Sequence, residues 1–319
     1  MGRRDDGSRG VPGDAATLRE RLASGPPLLL DGALGTEIER HGGDASLPLW
    51  SARALMDDPA LVGRIHREYA SAGSELLVAN TFRTQARSLA HGGCAERASE
   101  LTSLAVRLAR EALGSEPAGR WVAGSAPTLE DCYRPDLVPD DETLRREHGA
   151  HAENLLAAGA DCIWIETINT VREAAAAARA ARAAGAEAVV SFVCGLDGHL
   201  LSGEPLEQAV AAIAPGDPLA VGVNCLPERA VEACLPTLVG SGLPFLVYAN
   251  LGEPTEEGGF RRSGAFSPEA FAEQAGRWLS AGARAVGGCC GTTPAHIAAV
   301  AHRLSSEGGS GTQFASPRA

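Results

Sequence analysis

One two-part unit recurs eight times along this chain: a short, nearly continuous apolar run, then turn residues, then an Ala/Leu/Arg-rich stretch. The runs are "PPLLLDG" (26–32), "SELLVANT" (74–81), "RWVAGSA" (120–126), "DCIWIET" (161–167), "EAVVSFVCG" (187–195), "PLAVGVNC" (218–225), "PFLVYAN" (244–250) and "ARAVGGCC" (283–290). Runs without polar alternation suit parallel strands covered on both faces. The stretches between them, such as "PALVGRIHREYASAG" and "VREAAAAARAARAAG", have the spacing of amphipathic helices. Several end in Ala-Gly just before a strand, at Gly73, Gly159, Gly185 and Gly282, where glycine is free to take the left-handed C-cap. Eight such units predict an α/β fold, a (β/α)8 TIM barrel in a single domain. A doubly wound sheet is the alternative, but no GxGxxG motif follows the first strand.

Net charge is −12, from 28 basic and 40 acidic residues, which argues against a nucleic-acid or anionic-membrane surface. No apolar run reaches the ~18 residues of a membrane span. The start, "MGRRDDGSRGVPGDAA", has no apolar segment behind its basic residues and is not expected to be a signal peptide. Residues 1–22 read as a disordered leader and 307–319 as a flexible tail, leaving 23–306 for the barrel. The eight cysteines lie in a long chain that is not cysteine-dense, so reduced thiols and a cytoplasmic location are expected.

In a (β/α)8 barrel the chemistry sits at the C-terminal ends of the strands. Here those ends supply Asp31, Asn80 with Thr81, Ser125, Glu166 with Thr167, Cys194, Asn224 with Cys225, Asn250, and Cys289 with Cys290. The two longest loops, 35–58 and 126–142, would lie over this mouth. Cys225 ends strand six and the Cys289–Cys290 pair ends strand eight, and alternate strands send side chains into one layer. Successive strand residues point opposite ways, so the pair converges only if the backbone leaves β geometry, which Gly287, Gly288 and Gly291 permit. Three thiolates would suit Zn2+ and leave its fourth position open; a substrate thiol entering there would lose its proton. That combination suggests alkyl transfer to sulfur. Two other readings of "GGCCGTTP" stay open: a phosphate site built from backbone N–H groups, and a vicinal disulfide or simple packing. Cys94, Cys132, Cys162, Cys194 and Cys234 read as small buried hydrophobes, and His66, His151, His296 and His302 as solvated or packed helix residues.

With these residues in place, the chain resembles the homocysteine S-methyltransferase family of zinc-dependent thiol methylases, over about residues 26–304. The resemblance rests on "DGALGTEIER" (31–40), "LW" (49–50), "ANTFRT" (79–84), "ETI" (166–168), "SF" (191–192), "DGHLLSG" (197–203), "VGVNC" (221–225) and "VGGCCGTTPAHI" (286–297). It implies a homocysteine-binding barrel with Cys225, Cys289 and Cys290 as zinc ligands, and with Asp31 and Glu166 holding the amino acid's ammonium. Gly32 and the loop N–H groups to Gly35 would suit the substrate carboxylate, and Thr81, Ser125 and Asn224 complete the expected substrate contacts. The chain departs from the family pattern at "YANLGEP" (248–254), "AGSAP" (123–127) and "TFRT" (81–84), which puts Arg83, Asn250 and Glu253 on the donor side. Family donors are S-methylmethionine, S-adenosylmethionine, betaine and methylfolate. A chain ending just after the eighth helix has no room for folate, cobalamin or C-terminal dimerisation segments, so a sulfonium donor is expected. The implied partners are homocysteine and a small methyl donor, with a homo-oligomer left open; a zinc-storing or thiol-sensing barrel is the non-catalytic alternative.

Overall fold

Each apolar run becomes a strand that splits its residues between two cores. The computed structural model describes residues 16–114, 119–254, 260–262 and 267–308. Its strands are β1 (Leu28–Leu29), β2 (Leu76–Ala79), β3 (Trp121–Ala126), β4 (Cys162–Ile168), β5 (Ala188–Phe192), β6 (Ala220–Pro227), β7 (Phe245–Asn250), β8 (Gly252–Pro254), β9 (Phe260–Arg262) and β10 (Ala285–Gly288). All strands but β8 and β9 form one parallel sheet in the order β1-β10-β7-β6-β5-β4-β3-β2. The ring closes where Leu30 bridges Leu76, with the Asp31 N–H donating to the Leu76 carbonyl at 3.1 Å. The result is the expected (β/α)8 barrel, with helices alternating between strands. The antiparallel β8–β9 hairpin is an insertion that the eightfold pattern did not predict.

Alternation along the strands explains why the runs look continuous. Leu28, Leu30, Leu76, Trp164, Val189, Ala220, Leu246 and Ala285 point inward and fill the barrel. Their neighbours Leu29, Leu77, Ile163, Val190, Val221, Val247 and Val286 point outward against the helices. Both faces are therefore dry. Gly73, Gly159, Gly185 and Gly282 take the left-handed conformation expected after their helices, with φ of +106°, +86°, +86° and +108°.

The N-terminal boundary differs from the sequence expectation. A helix, Leu18–Ser24, begins inside the span read as a disordered leader. Thr17 and Glu20 cap it reciprocally, and Leu18 and Leu22 pack onto the interior core with Leu28 and Leu30. Seven residues with two buried leucines suffice to order it. Residues 1–15 and 309–319 lie outside the described residues, and the last helix reaches Gly308. No described helix is long and apolar enough to cross a membrane.

Candidate metal centre and substrate cavity

The three thiols meet at the C-terminal end of the barrel. Beyond Asn224 the β6–β7 register shifts, and Cys225 takes φ +56°, a left-handed conformation that non-glycine residues seldom adopt. The Tyr133 hydroxyl donates to the Cys225 carbonyl at 3.2 Å. Cys289 and Cys290 follow the last paired residue of β10, where Gly291 (φ +88°) turns the chain toward the helix Pro294–Gly308. The turn is pinned: Cys289 N–H donates to the Ala249 carbonyl at 2.8 Å, and Gly291 N–H to Thr36 Oγ1 at 3.0 Å. The Cys225 and Cys289 sulfurs lie 2.8 Å apart, and all three sulfurs fall within 4.8 Å of one another. Thiol hydrogen bonds from Cys225 and Cys289 hold the half-buried Cys290 well below the usual thiol range.

The glycines before the pair serve packing rather than backbone freedom, which corrects the sequence reading for two of the three. A Cβ on Gly288 would collide with the Thr292 side chain, and one on Gly287 would lie 2.7 Å from the Asp31 carbonyl oxygen. Only Gly291 needs its positive φ.

Two buried carboxylates flank the thiols without a cation. Glu166 accepts the Ser125 hydroxyl on Oε1 and the Asn224 side-chain N–H on Oε2 at 3.0 Å. Burial pushes its carboxyl up to about 7, against the Ser125 hydrogen bond, and the Cys290 charge adds to the rise. Asp31 accepts the Val78 N–H and the Tyr248 hydroxyl, each at 2.8 Å. Burial outweighs both bonds and pushes Asp31 up to about 8, with the Glu166 charge contributing. Neither forms an ion pair among the described residues. Leaving such groups uncompensated is costly, so the site is built to receive positive charge.

A cavity of about 660 Å³ opens onto these groups. Cys225, Cys289, Cys290, Glu166, Ser125 and Tyr248 line its floor, and Gly32 to Gly35 one side. Its outer wall comes from the two long loops: Leu47 and Trp50 from one, Asp131 to Arg134 from the other, with Phe82 and Arg83 between. Trp50 is held at φ +49° with its indole against Gly35, where a Cβ would lie 2.5 Å from Nε1. A second acidic and histidine group, Glu37, His41 and Glu68, also lies within metal-binding reach. There Arg40 already grips both Glu37 oxygens, at 2.5 to 2.9 Å.

Of the residues expected at the site, Gly32, Ser125, Glu166, Arg83 and the three cysteines line the cavity. Asp31 lies one hydrogen bond behind the wall, through Tyr248. Thr81 does not line it; its hydroxyl donates to the Ser125 carbonyl at 2.9 Å. Asn224 stands behind Glu166 and Thr167 rather than facing the cavity. The Ala33 N–H is committed to Thr292 Oγ1 at 3.1 Å, so it is not one of the free loop donors expected there. The Asn250 side chain is fully buried without a hydrogen-bond partner among the described residues and does not line the cavity. Glu253 lies on β8, and its side chain is outside the described residues. Tyr248, Trp50, Tyr133 and Cys132 were missed. Tyr248 shares the strand face of Asn250 two residues on, a period-two signal that could have found it; the loop residues left no such mark. Cys132, read as plain packing, is buried but forms part of the wall.

Comparisons with known proteins agree with this geometry. The family model for homocysteine S-methyltransferase matches residues 28–304. The chain is 36% identical to homocysteine S-methyltransferase of Escherichia coli, over 90% of this chain and 98% of that one. It is 31% identical to selenocysteine Se-methyltransferase of Brassica oleracea, over 90% and 92%. Among solved structures, the metallated form of the Escherichia coli homocysteine methyltransferase superposes with a TM-score of 0.77 at 34% identity, covering 90% of this chain and 99% of that one. A barrel of this topology, thiols converging at its mouth and near full-length similarity coincide in one chain, and it belongs to the homocysteine S-methyltransferase family.

Proposed function

We propose that this methyltransferase moves a methyl group from a sulfonium donor, S-methylmethionine or S-adenosylmethionine, to the sulfur of homocysteine, giving methionine, with Zn2+ held by Cys225, Cys289 and Cys290. The observation that carries the reading is the meeting of three thiols, within 4.8 Å, with two cation-free buried carboxylates beside one cavity. The donor set fits the metal: soft sulfur ligands favour zinc, and three of them leave a position open toward the cavity, which Cys290 lines. Bound there, Zn2+ would supply Lewis acidity that lowers the acceptor thiol's pKa. Glu166, backed by Asp31, would take the acceptor's ammonium. Gly32 and its neighbours leave room for its carboxylate. Trp50, Phe82 and Tyr133 offer aromatic surface to a sulfonium. In the transfer the donor's S–CH3 bond breaks as the new one forms. The donor leaves as a neutral thioether, and the acceptor's proton goes to water. The chain's own work is orientation and exclusion of water. Thiols that must stay reduced suit a cytoplasmic protein.

The test is metal analysis together with methyl-transfer assays on homocysteine with a panel of donors. About one zinc per chain is expected, lost with activity in Cys289→Ser and in Cys290→Ser; full zinc in both variants would sink the ligand assignment. A second acceptor is worth an arm of the assay. The Brassica oleracea relative is named for selenocysteine, so a preference for that selenol would revise the acceptor while leaving the chemistry intact. Zinc binding without transfer to any acceptor would favour a zinc-storing or thiol-sensing barrel instead.

A further inference from the structure

Arg83 is a charged group of the cavity wall that the reading above does not employ, as are Asp131 and Arg134. It follows β2, and its guanidinium lies over the Phe82 ring, 5.8 Å from the centroid. Its Nε is shut off from solvent and finds no acceptor among the described residues. The other wall arginine is committed: Arg134 grips Asp136 through two hydrogen bonds of 2.8 and 2.7 Å. Glu166, the acid nearest the thiols, is held by Ser125 and Asn224 and makes no bond to Arg83. Asp131 shares the wall and accepts the Tyr133 N–H at 2.9 Å, but it makes no ion pair with Arg83. A half-buried guanidinium stacked on an aromatic face, without an ion-pair partner among the described residues, is a site short of a carboxylate.

We infer that Arg83 binds the α-carboxylate of the methyl donor, and so restricts donors to methyl sulfoniums that carry one. The inference rests on the sulfonium reading. A sulfonium is itself a cation, and a bare Arg83 would repel it. With a carboxylate between the two, the repulsion becomes a clamp that selects a zwitterionic donor over a simple one. The acceptor does not compete for this role, because its ammonium belongs with Glu166 and Asp31, on β4 and just beyond β1, and its carboxylate with the loop from Gly32.

The experiment compares S-methylmethionine with its carboxamide, both sulfoniums with an α-amine, on the zinc-loaded protein at saturating homocysteine. Wild type should prefer the acid. Arg83→Leu should raise the KM of the acid roughly 30- to 100-fold, the effect of removing one partner of a charge pair. It should leave the carboxamide no worse and the homocysteine KM unchanged. Arg83→Lys should recover part of the loss. An equal fall with both donors, or a rise in the homocysteine KM, overturns the assignment. Equilibrium dialysis of labelled S-methylmethionine without acceptor separates the two ideas. Binding that depends on Arg83 with no transfer to any acceptor would sink the methyl-transfer reading and keep the carboxylate site. Binding indifferent to Arg83 would sink the site alone. Zinc content and Tm of the variants serve as the check on folding.

Discussion

Glu166 accepts hydrogen bonds on both carboxylate oxygens, yet no cation among the described residues neutralises it. Neither Arg172 nor Arg83 pairs with it. Arg172 instead binds Asp141 at 3.0 Å, and Arg83 stacks on Phe82. The carboxylate is thus held ready rather than paired. Glu166→Ala should weaken homocysteine binding by roughly 2–4 kcal/mol, the cost of removing one member of a desolvated charge pair. Zinc content should not change. The comparison acceptor is 3-mercaptopropionate, which has a thiol and a carboxylate but no amine. A loss confined to homocysteine assigns the ammonium to Glu166. An equal loss with both acceptors would leave it a structural role only.

The ends of β4 and β6 share one irregularity. Each shifts register at its tip, and each carries a non-glycine residue in the left-handed region: Thr167 at φ +60° and Cys225 at φ +56°. Asn224 ties the two tips together. Its Oδ1 accepts the Thr167 N–H at 2.8 Å and the Ser191 hydroxyl at 2.6 Å; its Nδ2 donates to Thr167 Oγ1 at 2.8 Å and to Glu166. Asn224→Ala would strand several buried polar groups at once, at about 1–3 kcal/mol for each left unsatisfied. We expect a lower Tm, weaker homocysteine binding and reduced zinc occupancy, because Cys225 loses the support for its strained backbone. Full zinc occupancy in that variant would show that Tyr133 alone holds Cys225 in place. None of this bracing could be read from the residues. The eight strands could, since burial on both faces leaves a compositional mark, and so could the thiols, because polar groups gather where each apolar run stops. A left-handed cysteine leaves no such mark, nor do side chains delivered by irregular loops, such as Trp50 and Tyr133. "GGCC" was legible as a bend but misread in its cause: Gly287 and Gly288 make room for Asp31, Leu30 and Thr292.

For the molecule as a whole, the uncompensated acids set a pH dependence. Asp31, ordinarily near 3.8, titrates at about 8 when folded. Between those values the folded chain holds a proton that the unfolded chain has lost, so stability falls as pH rises and the contribution disappears above the folded value. The ligand-free protein should lose roughly 5 °C in Tm between about pH 5.5 and about pH 9, and Asp31→Asn should flatten that slope. Saturating homocysteine should flatten it too, by bringing the missing cation. A slope unchanged in Asp31→Asn would assign the effect to other groups. The thiols have a further consequence. They sit on β6 and beyond β10, with β7 between them, so a metal held by all three would clasp three adjacent strands at one rim. Leu251 N–H donates to the Cys290 carbonyl at 2.9 Å, and Cys289 N–H to Ala249, within that rim. Chelation should therefore speed deuterium exchange at the Cys289 and Leu251 amides first, while the amides of the paired strands β3 and β4, on the opposite side of the ring, keep their protection. If exchange quickens evenly around the ring, the clasp is not local, and metal loss loosens the barrel as one body.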